Sequence, residues 1–136
     1  MRMTQEADYA LRIILLLSKV GMDARIDAKH ISESEGIPSR FTLKILRKLT
    51  QGGLTRSYRG IGGGYSLNKS PASITLKDVI EVIDGPICIN RCLYDKKYCN
   101  LHRTNTCDVH RALNDVRKTL IEELESVNFD DLVKQK

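Results

Sequence analysis

The chain has 136 residues, a net charge of +5 and four cysteines. This length fits one domain with a short extension and leaves little material for a second core. Its longest apolar run, Ile13 to Leu17, is far too short to cross a bilayer, and no secretory leader follows Met1. We therefore expect a cytoplasmic protein without a membrane partner, whose reduced cysteines serve metal binding or redox chemistry.

The positive charge is concentrated in the first half of the chain. Residues 1–70 contain 12 lysines and arginines against 6 acidic residues, whereas residues 71–136 contain 10 against 11. Between Glu35 and Asp78 there is no acidic residue. A surface of one sign indicates a polyanionic partner, and duplex DNA is the leading candidate because neutralised phosphates release counterions. The alternative is an ordinary solvated basic face.

The first predicted element is an apolar helix. Thr4 can cap it, and its opening turn contains Glu6 and Asp8, two acids that suit the positive end of the helix dipole. Apolar residues then recur at helical spacing up to Gly21 and cover most of the circumference. The pattern predicts a buried helix that packs in part against another subunit.

A helix-turn-helix pattern follows. Asp27 can cap a second helix over residues 28–35 that ends at Gly36, and Pro38 opens a third helix that runs to about Gln51. The inward face of the third helix is apolar, with Phe41, Ile45, Leu46 and Leu49. Near its N-terminal end, the residues predicted to face outward and reach the major groove are Ser39, Arg40, Thr42, Leu43 and Lys44.

Two short strands, residues 54–58 and 65–68, predict a β-hairpin wing joined by the glycine-rich turn 59–64. A nucleotide-binding loop would need a helix directly after the glycines, whereas a strand follows here. Arg56 and Arg59 flank the turn, and arginines at a bare tip suit a narrow minor groove with its negative potential.

A fourth helix completes a winged helix-turn-helix domain, which we place at residues 1–85. Thr75 and Asp78 have the spacing of a capping box at its start, and Gly85-Pro86 ends it.

All four cysteines lie within residues 88–107, at the spacing C-x3-C-x6-C-x7-C, and His110 follows three residues after the last. Many of the residues between them are polar, so we assign residues 86–107 to a cysteine-rich binding loop. The C-x2-C pairs typical of zinc knuckles and thioredoxin-like sites are missing from the sequence, although zinc and thiol–disulfide chemistry both stay open. A cysteine enzyme with His110 as the base is disfavoured because the sequence offers no convincing oxyanion donors.

A long last helix is predicted to begin within residues 104–106, which puts Cys107 in or beside its first turn and His110 on the same face. Apolar residues then recur at near-heptad steps: Val109, Leu113, Val116, Leu120, Leu124 and Val127. Such a stripe needs a partner; a second copy is the simplest one, and packing on its own domain is the alternative. We assign residues 108–136 to a dimerisation helix and tail, so the predicted fold is mainly α with a small β-hairpin.

Three stretches resemble one known family. They are Met1-Arg2-Met3-Thr4 with Asp8-Tyr9-Ala10-Leu11-Arg12, then Arg59-Gly60-Ile61-Gly62-Gly63-Gly64-Tyr65-Ser66-Leu67, and three cysteines followed by His110. In these stretches the chain resembles the iron-sulfur cluster regulators of the IscR and NsrR type, which are dimeric winged-helix transcription factors of bacteria. The resemblance covers nearly the whole chain. It implies a homodimer that binds a double-stranded DNA operator and is not an enzyme.

The resemblance also implies that Cys92, Cys99 and Cys107 hold an iron-sulfur cluster, of which 2Fe-2S is favoured and 4Fe-4S is possible. His110 is the favoured fourth ligand because it lies beside Cys107, and the alternative is Asp8 of the partner subunit. Cys88 is the third choice for that position. The gaps between the cysteines are longer than is usual in the family. The DNA-binding residues expected in this arrangement are Arg2, Ser39, Arg40, Thr42, Leu43, Lys44, Arg56, Arg59, Gly60 and Gly62.

Overall fold

The computed structural model describes residues 3–89 and 108–134. Short local sequence patterns set most of the boundaries of its helices and strands. The elements in chain order are α1 (Gln5–Val20), α2 (Ala28–Glu35), α3 (Ser39–Gln51), β1 (Thr55–Tyr58), β2 (Gly64–Leu67), a 3-10 turn (Pro71–Ser73), α4 (Leu76–Asp84), α5 (Asp108–Ser126) and α6 (Phe129–Lys134). Among the helices described, none combines the length and the apolar character needed to span a membrane.

The predicted helix starts are confirmed at three positions. The side chains of Thr4 and Asp27 each accept a backbone N–H of the following turn, at 3.1 and 2.7 Å. Thr75 and Asp78 form the reciprocal capping box, with bonds of 3.0 and 3.1 Å. Such caps satisfy N–H groups that have no partner inside the helix. Pro38 lies one residue outside α3, as its N-cap, where its missing N–H has no helical bond to lose.

One hydrophobic core joins α1, α2, α3, α4 and α6. The core residues on the helices are Ala7, Ala10, Ile13, Ile14 and Leu17 from α1, Ile31 from α2, Ile45, Leu46 and Leu49 from α3, Val79 and Ile83 from α4, and Phe129 from α6. Full burial of one such aliphatic side chain stabilises the fold by roughly 1.5–3 kcal/mol. The prediction that α1 is a buried helix is confirmed.

The chain returns to this core after α5. Phe129, the first residue of α6, is only 1% exposed. Its backbone N–H donates to the carbonyl oxygen of Ile74 at 3.0 Å, and the N–H of Leu76 donates to the carbonyl oxygen of Val127 at 3.0 Å. The C-terminal end of α5 is therefore fixed to the start of α4, although the sequence grouped this segment with the dimerisation helix.

The wing is attached to the helical domain by a third extended segment. Strands β1 and β2 pair antiparallel, and both have bounds within one residue of the prediction. Ile26, just before α2, exchanges two backbone hydrogen bonds with Tyr65 of β2, at 3.0 and 2.8 Å. A Cβ atom on Gly64 would lie 2.7 Å from the carbonyl oxygen of Ile26, and its φ is +140°. Glycine at this position therefore permits the close approach of the two backbones.

Candidate DNA-binding surface and cofactor site

The N-terminal outer face of α3 is open to solvent. Ser39, Arg40 and Leu43 are exposed, and Leu43 retains 49% of its accessible surface. Gly36 has a φ of +65°, which ends α2 in the left-handed conformation and turns the chain into α3. A short turn between two helices, with a basic and apolar face on the second, is the geometry that enters a major groove.

Thr42 does not share this face. It is fully buried, and its hydroxyl donates to the carbonyl oxygen of Pro38 at 3.3 Å. The prediction that Thr42 lies on the outer face is wrong, because the helix directs position 42 toward the core beside Ile45 and Leu46. Bonding to a carbonyl four residues earlier satisfies the hydroxyl there.

Glu6 of α1 binds two lysines of α3. Its two carboxylate oxygens lie 2.7 Å from the Nζ atoms of Lys44 and Lys48. Hydrogen bonds from the two lysines lower the pKa of Glu6 below its usual range, and burial opposes them. Lys44 is still 56% exposed. Because Glu6 already balances part of its charge, Lys44 attracts a DNA phosphate less strongly than an unpaired lysine does.

The wing tip is a short glycine turn with two prominent side chains. Gly60 and Gly62 have φ values of +81° and +79°, which glycine adopts without strain. Between them Ile61 is fully exposed, and Arg59 is exposed beside it. An apolar side chain and an arginine at such a tip suit a minor groove, where apolar wedges and arginines are both used.

Two more arginines lie at the wing, one at its base and one beside Tyr58 at the end of β1. The Nε of Arg56 donates to the side-chain oxygen of Asn68, which holds Arg56 at the base of the hairpin rather than at its tip. The guanidinium of Arg25 lies 3.6 Å from the ring centroid of Tyr58. The pKa of Tyr58 is lowered, first by its hydrogen bond with Ser66 and then by the two arginines. Arg25 was not predicted from the sequence, because only the folded chain brings it to the wing.

A groove separates α3 from the wing. Its volume is about 280 Å³, and the side chains along it are Leu43, Arg47, Thr50, Gln51, Ser57 and Tyr65. Arg47 is exposed, and it was not among the DNA-binding residues predicted from the sequence. The spacing could have identified it, since Arg47 lies one helical turn after the exposed Leu43 and shares its face.

The cysteine site falls largely beyond the described residues. Cys92, Cys99 and Cys107 all lie outside them, as does Arg2 at the N terminus. His110 lies in the first turn of α5 and is half-buried. Within residues 3–89 and 108–134, no group of three or more histidine, cysteine, aspartate or glutamate side chains could hold a metal ion.

The two alternatives to His110 as the fourth ligand, Asp8 and Cys88, both lie within the described residues. Asp8 Oδ2 lies 2.9 Å from the Nη2 atom of Arg12, in an ion pair along one face of α1. Cys88 is a free, half-buried thiol. It lies on the wall of a cavity of about 590 Å³ formed by the N-terminal end of α1, the C-terminal end of α4 and the C-terminal half of α5. Leu120 and Leu124 of α5 form the opposite wall.

A helix-turn-helix with an exposed basic second helix, followed by a wing with an arginine at its tip, defines a winged-helix DNA-binding protein. The chain belongs to the Rrf2 family: the family model, described as an iron-dependent transcriptional regulator, matches residues 3–135. The match confirms the predicted family and the mainly α winged-helix fold class.

Relatives and solved structures agree with this assignment. The chain is 34% identical over 125 residues to an HTH-type transcriptional regulator of Mycobacterium tuberculosis, covering 90% of this chain and 77% of the relative. It is 29% identical over 133 residues to the HTH-type transcriptional regulator IscR of Yersinia pseudotuberculosis, covering 98% and 79%. Its fold is similar to that of CymR, the global cysteine regulator of B. subtilis, with a TM-score of 0.76, 26% identity and coverage of 98% and 96%. These relatives are named as regulators.

Proposed function

We propose that the protein is a cytoplasmic, homodimeric transcriptional regulator whose iron-sulfur cluster controls its binding to a double-stranded operator. One observation above all supports the proposal: α5 has His110 in its first turn and an apolar stripe in which Val109 and Val116 are exposed. A single rigid element thus joins the candidate cofactor site to the candidate dimer interface. The similarity to IscR adds support.

The candidate ligands fit an iron-sulfur cluster in their chemistry. Cys92, Cys99 and Cys107 provide thiolates, and His110 provides an imidazole. A histidine in place of a fourth thiolate raises the reduction potential of a cluster, and we favour the 2Fe-2S form over 4Fe-4S. When bound, the cluster supplies a redox centre that responds to oxidants, nitric oxide or iron shortage.

The surroundings of Asp8 favour His110 as the fourth ligand. Asp8 is 45% exposed and pairs with Arg12 one helical turn away. Ligation by Asp8 of the partner subunit would break this ion pair and leave the guanidinium without its carboxylate. His110 lies on the helix that follows Cys107, three residues from that candidate ligand in the sequence.

The exposed stripe of α5 supports the homodimer. No residue of α5 is buried, and Val109 and Val116 are 65% and 55% exposed. A helix of 19 residues is about 28 Å long, which is ample for an apolar seam between two antiparallel or crossing copies. A symmetric pair would present two copies of α3 to DNA, and operator affinity would depend on their separation matching the helical repeat.

Contacts near the midpoint of α5 offer a route from the cofactor to the DNA surface. The Nε of Arg117 donates to the carbonyl oxygen of Ile87 at 2.5 Å, one residue before the cysteine stretch begins. Helix α5 also packs against α4, and α4 packs against α3. A change in residues 88–110 would therefore shift α5 against α4 and alter the position of α3.

A thiol–disulfide or zinc switch on the same fold is the second candidate function. The similarity to CymR, a regulator of cysteine, favours it. Cys88 adds a fourth thiol to the three candidate ligands, and it is not needed if His110 completes the cluster. In this alternative, DNA binding and dimerisation are unchanged and only the switch differs.

Anaerobic purification separates the two candidates. Visible absorption, an electron paramagnetic signal after reduction, and iron and acid-labile sulfide in stoichiometric amounts would support the cluster. Colourless protein that contains zinc, or only reactive thiols, would support the alternative. DNA binding is tested in the same preparation with duplexes selected from a random pool, before and after removal of the cofactor. Equal affinity in both states would contradict control by the cofactor.

A further inference from the structure

The cations of α3 fall into two groups. Lys44 and Lys48 face α1, where Glu6 pairs with both of them. Arg47 lies on another side of the helix and is exposed. It takes part in none of the ion pairs formed among residues 3–89 and 108–134. Its full charge is therefore available to an external anion.

Arg47 borders the groove between α3 and the wing. On the helix side the groove is bounded by Leu43, Arg47, Thr50 and Gln51, which follow one another at the spacing of one helical face. On the wing side it is bounded by Ser57 and Tyr65, which are directly opposite each other in the register of β1 and β2. The groove thus has a cation on one wall and hydrogen-bonding side chains on both.

The position of this groove identifies its occupant. If α3 enters a major groove and the wing tip enters the adjacent minor groove, the sugar-phosphate strand that separates the two grooves must pass between α3 and the wing. The planar guanidinium of arginine matches the oxygens of a phosphate and can bind two of them. Hydroxyl and amide side chains commonly complete such backbone contacts.

We propose that the groove between α3 and the wing binds one backbone phosphate of duplex DNA, with Arg47 as its cation. The proposal rests on the DNA binding proposed above and is independent of the cofactor. Because the ligand is a phosphate, the contact is the same for every DNA sequence. It positions the recognition helix and does not select bases.

The test compares Arg47→Gln with Lys48→Gln in the full-length protein. Each phosphate that a protein neutralises contributes about 0.9 to the slope of log affinity against log salt concentration. Arg47→Gln should lower the slope by about 0.9 per subunit, about 1.8 for the dimer, and weaken binding about tenfold per subunit at low salt, equally on selected and random duplexes. Lys48→Gln removes the same formal charge, and it should change the slope by less than half as much because Lys48 faces Glu6 of α1 and does not border the groove.

A second measurement locates the phosphate. Duplexes that each contain one neutral methylphosphonate linkage are titrated with the wild type, Arg47→Gln and Arg47→Lys. At one backbone position the neutral linkage should weaken the wild type and Arg47→Lys, and it should not weaken Arg47→Gln any further. Arg47→Lys should keep the salt slope and lose part of the affinity, because it retains the charge without the planar fork.

Three results would overturn the proposal. An unchanged slope in Arg47→Gln, with the wild type binding DNA normally, would show that the groove holds no phosphate while the proposed function stands. Loss of binding on selected duplexes alone would assign Arg47 to a base. Absence of wild-type binding to any duplex would overturn the groove and the proposed function together. Thermal unfolding of each variant, compared with the wild type, confirms that the exposed substitution leaves the fold intact.

Discussion

Replacing Phe129 with alanine tests whether the C-terminal helix belongs to the core of the winged domain. The ring is 1% exposed and lies in the same cluster as the buried residues of α1 and α4. Phenylalanine-to-alanine changes in a core cost about 3–5 kcal/mol. The backbone bonds that join this segment to Ile74 and Leu76 do not involve the side chain. We therefore expect the lower end of that range, about 3 kcal/mol.

The assay is thermal unfolding followed by circular dichroism, at one fixed protein concentration because the proposed dimerisation would make the midpoint concentration-dependent. For a chain of this length, 3 kcal/mol corresponds to a fall in Tm of about 10 °C. The fully exposed Ile61 supplies the control, since Ile61→Ala should change the stability by less than about 0.5 kcal/mol. A loss below about 1 kcal/mol for Phe129→Ala would refute the conclusion that α6 is part of this core.

Four further predictions follow from the described contacts and the proposed function. Glu6→Gln should lower the free energy of unfolding near pH 7 and have a smaller effect near pH 3. A carboxyl with a lowered pKa stabilises the fold above its unfolded pKa, and this stabilisation is lost as the pH falls through the folded pKa. Urea unfolding at both pH values checks the prediction, and equal effects would contradict the ion pairs. Arg59→Ala should lower the salt slope of DNA binding by about one per subunit, whereas Ile61→Ser should weaken binding without changing the slope; the reverse pattern would exchange their roles. Cys99→Ala should abolish cluster retention in anaerobic protein and leave a folded dimer, so a retained cluster removes Cys99 from the ligands. Val116→Glu should produce monomers in sedimentation experiments because it places a charge in the exposed stripe; an intact dimer would locate the interface elsewhere.

Features that depend on neighbouring residues were predictable from the sequence. The caps at Thr4, Asp27 and Thr75 involve side chains and N–H groups within three residues of each other, so the sequence contains both partners. The exposed glycine turn of the wing is equally local. The burial of α1 followed from its apolar residues, which cover more of the helix than a single amphipathic face.

Features that depend on distant residues were not predictable in the same way. The contact between Ile26 and Tyr65 joins positions that the sequence assigns to separate elements. The pairing of Glu6 with Lys44 changed the role of an expected DNA-binding cation, and a charge in a sequence does not reveal its partner. Thr42 was misplaced because its neighbours on the helical wheel belong to both faces.

The sixth helix was missed for a different reason. The side chain of Asn128 caps its start: the amide oxygen accepts the backbone N–H of Asp131 at 2.9 Å, and the amide nitrogen donates to the carboxylate of Asp131 at 3.0 Å. This local pattern was available in the sequence. What the sequence could not show is where Phe129 goes, because a single aromatic residue in a polar tail has no periodicity. Its burial depends on the packing of α6 against α1 and the 3-10 turn.

The anchoring of α5 at its C-terminal end makes the helix a lever. Its 19 residues extend about 28 Å from this pivot, so a rotation of about 5° displaces the end at Asp108 by about 2.5 Å. The bond from Arg117, near the midpoint, stretches by only about half as much in the same rotation. Half of that displacement, about 1.2 Å, would take the 2.5 Å bond between Arg117 and Ile87 beyond hydrogen-bond length. A rotation of only a few degrees would therefore break the side-chain bond that holds α5 to the residue before Cys88.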